Sequence, residues 1–212
     1  MRRPDVKMVL LGHVNVGKTS LLQRYMERRC PDPVSTVGGA FYLKPWRSYN
    51  IALWDTAGRE QFHGLGSMYC RGASVVILTY DVNHRQSLVE LEERFLALTD
   101  SASADCLFAL VGNKVDLSGQ AGTPRQACRE DAVALYKRII RYKMLDEKDV
   151  PAAEAMCFET SAKTGYNVDH LFETLFDMVV PLILQRRAQG APQTVEITPY
   201  KPAKRTHQGC CS

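Results

Sequence analysis

Gly12-His13-Val14-Asn15-Val16-Gly17-Lys18-Thr19 has the form G-x-x-x-x-G-K-[ST], and it constrains this chain more than any other stretch. An apolar run, Val6–Leu11, precedes it, and a helical pattern, Lys18–Glu27, follows it. Glycines let the backbone curl around an anion so that successive N–H groups point inward. The N-terminus of the following helix adds a partial positive charge. The spacing therefore predicts a strand, a phosphate-holding loop and a helix in that order. Lys18 can reach the β- and γ-phosphates of a nucleotide, and the Thr19 hydroxyl can bind Mg²⁺. Asn15, Val16, Gly17 and Ser20 complete the predicted cradle. A turn with no ligand would leave the strand and helix context as coincidence.

Apolar runs and helical patterns alternate along the rest of the chain. Strands are expected at Val6–Leu11, Ala40–Trp46, Tyr49–Asp55, Val75–Tyr80, Leu107–Gly112 and Met156–Phe158. Helices are expected at Lys18–Glu27, Gln86–Thr99, Glu130–Leu145 and Asn167–Gln185. Leu88, Leu91, Phe95 and Leu98 share one helical face, as do Leu171, Leu175, Met178 and Val179. Such alternation implies an α/β fold with a mainly parallel sheet covered on both faces. The short turn between Ala40–Trp46 and Tyr49–Asp55 predicts one antiparallel pair. Ser118–Arg129 is small, polar and turn-rich, which predicts a mobile surface loop. No run of eighteen apolar residues occurs, and the N-terminal apolar stretch is too short for a secretory signal.

Two further motifs select the base. Asn113-Lys114-Val115-Asp116 ends a buried strand, where an α/β sheet places its ligands. The Asp116 carboxylate can accept from the N1–H and exocyclic amine of guanine, a donor pair that adenine lacks. Ser161-Ala162-Lys163 follows the last short strand, where a backbone N–H can meet the guanine carbonyl. Two others address the γ-phosphate. In Trp54-Asp55-Thr56-Ala57-Gly58, Asp55 can hold Mg²⁺ through water and the Gly58 N–H can contact the phosphate. In Ser35-Thr36-Val37-Gly38, the Thr36 hydroxyl can reach the same metal. Contacts that exist only with the γ-phosphate would make both segments switches.

In this order the motifs GHVNVGKT, STVGG, WDTAG, NKVD and ETSAK resemble the Ras-type small GTPases over about Val6 to Gln185. WDTAG with its leading Trp, MYCRGA after it and a terminal Cys pair resemble the Rab branch. The resemblance implies a P-loop NTPase of Ras-like G-domain fold: a six-stranded, mainly parallel sheet flanked by helices, at residues 1–187, with a flexible tail at 188–212. It implies a monomeric GTP/GDP- and Mg²⁺-binding switch in vesicle traffic. It also implies that Phe41, Trp54 and Tyr69 form an aromatic effector surface. Expected partners are effectors, an exchange factor, a GTPase-activating protein, Rab escort protein and GDP-dissociation inhibitor.

Three departures from the family pattern touch hydrolysis and retention. The residue after Gly58, normally a Gln that orients the attacking water, is Arg59. Gln61 lies two positions later, about 6–7 Å of extended chain away. Val14 puts a branched side chain where the family is small or polar, toward the γ-phosphate. Cys30 stands where an aromatic ring would stack on guanine. The resemblance with these changes predicts a weak intrinsic GTPase, with Arg59, Gln61, Lys18 and Thr36 as candidate catalytic residues. The alternative is a GTP-binding scaffold that recruits effectors with little or no useful hydrolysis.

Of the seven cysteines, the first five, at 30, 70, 106, 128 and 157, show neither metal-ligand spacing nor a disulfide framework, which suits a reduced compartment. Cys210 and Cys211 differ from the rest by being adjacent and almost terminal. Gly209, not a cysteine, is fourth from the end, so the single-cysteine prenylation box is absent. The pair resembles a doubly geranylgeranylated Rab terminus, and two chains anchor where one is marginal. From Arg186 onward there are five basic residues and one acidic one, which accounts for the whole net charge of +4. The neutral body argues against nucleic-acid binding, and the basic tail suits an anionic membrane. The expected location is the cytoplasmic face of endosomal, phagosomal or Golgi membranes, with a cytosolic pool.

Overall fold

The computed structural model describes residues 4–30, 36, 39–58, 65–119 and 122–189. Arg59, Gln61, Cys210 and Cys211 lie outside the described residues, as do Ser35, Val37 and Gly38. In chain order the elements are β1 Val6–Leu11, α1 Lys18–Glu27, β2 Gly39–Trp46, β3 Tyr49–Thr56, α2 Leu65–Cys70, β4 Val75–Asp81, α3 Arg85–Glu90, β5 Leu107–Asn113, α4 Arg129–Tyr142, α5 Ala153–Met156, β6 Cys157–Glu159 and α6 Val168–Gln189.

The strands form a six-stranded sheet in the order β2-β3-β1-β4-β5-β6. Only β2 and β3 pair antiparallel, with Phe41 opposite Trp54 and Trp46 opposite Tyr49. The other pairings are parallel. Helices cover both faces, so the central strands are apolar without alternation. Met8–Leu11 of β1 and Val75–Tyr80 of β4 are buried throughout. Each fully buried Leu, Ile or Val contributes roughly 1.5–3 kcal/mol. Pro45 cannot donate to a ladder and sits in β2, the edge strand where that costs least.

All six predicted strands are present, within about two residues at each end. The helices differ more. The expected Gln86–Thr99 helix is α only over Arg85–Glu90, then opens into a π turn at Leu91–Phe95 and tightens to a 3-10 turn at Ala97–Ser101. Leu91 and Phe95 still face the core, at 0% and 2% exposure. Helix α6 runs on to Gln189 and carries Pro181 within it. Helix α2 was not expected, because its six residues, LGSMYC, are too few to show a period.

The expected mobile loop at 118–129 is corrected at its C-terminal end. The N–H groups of Gln126 and Ala127 both donate to Val82 O, at 2.9 and 3.0 Å. Ala127 is fully buried, and Arg125 is paired with Glu159. Small, polar residues were read as solvent-facing there, whereas a small Ala and two backbone bonds dock the segment on the sheet.

Candidate functional site

The loop after β1 emerges at the C-terminal edge of the sheet, where α/β folds bind ligands. Its backbone reverses through Asn15 (φ 65°) and Gly17 (φ 96°). A Cβ on Gly17 would lie 2.4 Å from Asn113 Nδ2, so glycine is needed for close approach as well as for conformation. Among the described residues, the N–H groups of Asn15, Val16 and Gly17 take no backbone carbonyl. Such donors, at the start of α1, form an anion cradle.

Lys18 is 5% exposed. Its Nζ donates to Gly12 O at 2.8 Å and to His13 O at 3.0 Å, folded back over the loop. Burial pushes this amine down to about 8, and the Asp55 carboxylate opposes that only in part. An ammonium held by two carbonyls in a desolvated pocket is poised to exchange them for phosphate oxygens.

Beside it, three oxygens converge. Thr19 Oγ1 donates to Asp55 Oδ2 at 2.6 Å and lies 2.7 Å from Thr36 Oγ1. Thr36 Oγ1 is 3.4 Å from the same carboxylate oxygen. Asp55 is wholly buried, and its Oδ1 has no hydrogen-bond partner. Burial pushes its carboxyl above the ordinary range, against the pull of the Thr19 hydroxyl, Lys18 and the Thr36 hydroxyl. A buried, orphaned carboxylate oxygen beside two hydroxyls is a hard oxygen donor set with positions left for phosphate and water. It fits Mg²⁺, which usually keeps only one or two protein carboxylates. Among the described residues no cluster of three His, Cys, Asp or Glu competes for a metal.

Gly58 closes the other side. A Cβ there would stand 2.3 Å from Val14 N and 2.6 Å from His13 C. Only glycine lets the backbone after β3 rest directly on the loop. The segment that continues into Arg59 therefore starts in contact with Val14.

At the base end, Asn113 is 1% exposed and acts as a tether. Its Nδ2 donates to Val16 O at 2.9 Å. Its Oδ1 accepts from Thr160 Oγ1 at 3.2 Å and from the Ala162 N–H at 3.1 Å. One side chain thus ties the phosphate loop to both base-side loops. Of the N–H groups in Ser161-Ala162-Lys163, that of Ala162 donates to Asn113. Ser161 Oγ donates to Asp116 Oδ1 at 2.6 Å, orienting the carboxylate. Lys114 adopts φ 67° and pairs with Asp81 at 2.9 Å. The Lys163 carbonyl accepts from Arg24, whose Nε also donates to Ala162 O at 2.7 Å.

The structure thus brings Lys18, Thr19, Thr36 and Asp55 into one cluster, and Asn113, Asp116, Ser161 and Ala162 into another. Ser20 lies in the first turn of α1, and Cys30 is half-buried against the hydrophobic core. Arg24, Asp81 and Thr160 support the site but were not anticipated; their partners lie as far as 139 positions away in sequence, where no local pattern points. The aromatic residues also meet. Phe41 and Trp54 have centroids 5.0 Å apart, and Trp54 and Tyr69 5.9 Å.

The family model described as the Ras family matches residues 7–180. The chain is 69% identical to human Ras-related protein Rab-20 and 66% identical to the mouse protein of that name, over the full length of each. The chain belongs to the Rab branch of the Ras family of small GTPases. Similarity extends to plants: Ras-related protein RABC2a of Arabidopsis thaliana is 33% identical over 97% of this chain and 93% of its own length. Guanine-nucleotide binding, GTP hydrolysis and a role in vesicle traffic come with this membership. No helix among the described residues is long and apolar enough to cross a membrane.

Proposed function

We propose that this Rab is a slowly hydrolysing GTP switch, held by two geranylgeranyl groups on endocytic, phagosomal or Golgi membranes. The observation that carries the nucleotide site is the convergence of the Thr19 and Thr36 hydroxyls on Asp55 Oδ2, with Asp55 Oδ1 left unpartnered, beside buried Lys18. In this reading Lys18 leaves the Gly12 and His13 carbonyls for the β- and γ-phosphates. Asn15, Val16 and Gly17 offer their N–H groups, and Ser20 closes the first turn of α1 over the phosphates. Thr19, Thr36 and Asp55 hold Mg²⁺, which neutralises phosphate charge when bound. Asp116 accepts from guanine, oriented by Ser161, while Ala162 and Lys163 cap the base. Asn113 and Lys114 keep the two base loops in register. Thr36 and Gly58 respond to the γ-phosphate, and loosening them on hydrolysis alters the surface of Phe41, Trp54 and Tyr69. Half-exposed Phe41 gives that surface an apolar patch for effectors.

Slow hydrolysis is supported by the contact between Gly58 and Val14. The Val14 backbone lies where the segment leading to Arg59 begins, so that segment starts pinned to the loop, and Arg59 lacks the acceptor and donor pair of a glutamine amide. Single-turnover GTP hydrolysis tests this. The wild-type protein is expected below about 10⁻⁴ s⁻¹, an unassisted Ras-like rate, and Arg59→Gln is expected to raise it several-fold. A wild-type rate at the usual Rab level that Arg59→Gln leaves unchanged would overturn it. The scaffold alternative, favoured by the same Val14 contact, predicts no turnover even with an activating protein present. A trans-acting activator that supplies both Arg and Gln would restore turnover in the switch reading.

The anchor has its own test. Mutating both Cys210→Ser and Cys211→Ser is expected to move the protein from membrane to soluble fractions, because the basic tail alone binds weakly. Retention of the double variant on membranes would remove the lipid from the proposal.

A further inference from the structure

Glu90 is an unusual resident of the core. It is 7% exposed, and its Oε2 is buried without a hydrogen-bond partner. It ends α3, immediately before the π turn at Leu91–Phe95. Such turns are rare and recur at functional sites. What it faces is the phosphate loop. His13 Nε2 lies 3.5 Å from Glu90 Oε2, an ion-pair separation longer than a hydrogen bond. Arg94 Nη1 lies 3.5 Å from the other carboxylate oxygen, so Glu90 is flanked by a cation on each side when the imidazole is protonated. The other imidazole nitrogen, Nδ1, lies 3.0 Å from Val14 O. A carbonyl only accepts, so Nδ1 is the donor in this contact.

The contact falls on one peptide unit. In a trans peptide the carbonyl and the following N–H point in opposite directions. Holding the Val14 carbonyl against His13 therefore aims the Asn15 N–H the other way. Asn15 has a left-handed backbone, a conformation asparagine tolerates better than other non-glycine residues, and it fixes the turn of the loop at this peptide. We propose that Glu90, acting through His13, is a positioning residue that locks the Val14–Asn15 peptide with its N–H directed into the phosphate cradle. The inference rests on the nucleotide site proposed above. Its weight falls on diphosphate retention, because an N–H in the middle of the loop serves the β-phosphate region.

The test uses full-length protein loaded with Mg²⁺ and GDP. Glu90→Gln keeps the shape of the side chain and removes its charge. His13→Ala removes the ring, with His13→Gln as a second variant. Dissociation of a fluorescent GDP analogue and the ³¹P resonance of the bound β-phosphate are measured. Glu92→Gln, on the exposed Arg138 pair, serves as control. Each single variant is expected to speed release about fivefold to tenfold and to shift the β-phosphate resonance. The Glu90→Gln/His13→Ala double variant is expected to be no faster than His13→Ala, because both act through one peptide. Multiplicative effects, or variants with wild-type release and resonance, overturn the inference while wild-type retention leaves the nucleotide site standing. A wild-type protein that retains no GDP overturns both.

Discussion

Lys18→Met is expected to weaken GDP binding by about a thousandfold while leaving the nucleotide-free protein as stable as before, or more so. The two effects share a cause. The Lys18 ammonium is 5% exposed and donates to two carbonyls, at 2.8 and 3.0 Å, with the Asp55 carboxylate offsetting only part of its burial. Burial brings the Lys18 pKa down to about 8, because the pocket solvates the charge poorly. Methionine has a similar shape and no charge to desolvate, so the empty fold loses a cost as well as two hydrogen bonds. With phosphates present the balance reverses. Removing one member of a buried charge pair costs 2–5 kcal/mol or more, and about 4 kcal/mol is a factor of roughly a thousand. Titration with a fluorescent GDP analogue, paired with thermal unfolding of the empty protein, reads both. Wild-type affinity in the variant would place the phosphates elsewhere. A collapsed melting temperature would instead make Lys18 a structural cation.

Asp116→Asn should convert a guanine site into one that prefers xanthine. Guanine offers two donors to the carboxylate, and Ser161 Oγ at 2.6 Å fixes the direction in which Asp116 presents its oxygens. An asparagine amide turns one acceptor into a donor, which faces the guanine amine badly and the xanthine carbonyl well. Sites built to hydrogen-bond a particular group reject analogues that leave it unpaired by about 10⁴-fold. Loss of GDP binding by a factor of about 10³ is expected, with recovery when xanthosine diphosphate is the competitor. Equal loss of both nucleotides, with an intact melting curve, would show that Asp116 does not read the base edge.

The motifs lay open in the sequence because each is a short local pattern with a steric or electrostatic reason. Phosphates need glycines and N–H groups in succession, and a buried parallel strand needs an unbroken apolar run. The β2–β3 pair was legible for the same reason: two runs and a tight turn permit little else. Partners far apart in the chain were not legible. Nothing around Arg24 announces that it binds the carbonyls of Ala162 and Lys163. Asn113 stood in the base-selecting motif, but its further role as a tether was not legible, because position along the chain does not reveal which way a side chain turns. Its amide faces Val16, Thr160 and Ala162. The π turn after Glu90 also escaped, since its apolar positions Leu91 and Phe95 fit an α-helical face as well.

The loop at Gly12–Thr19 shows where the division falls. From sequence alone it read as a phosphate cradle between a strand and a helix, with Lys18 assigned to phosphate and Thr19 to the metal. That much follows from backbone chemistry acting over eight neighbouring residues. Only the tertiary structure put Gly58 against Val14, Asn113 beneath Gly17 and Glu90 beside His13. Those contacts join segments that the sheet brings to one edge, and close packing, with no local periodicity, decides which atoms meet there.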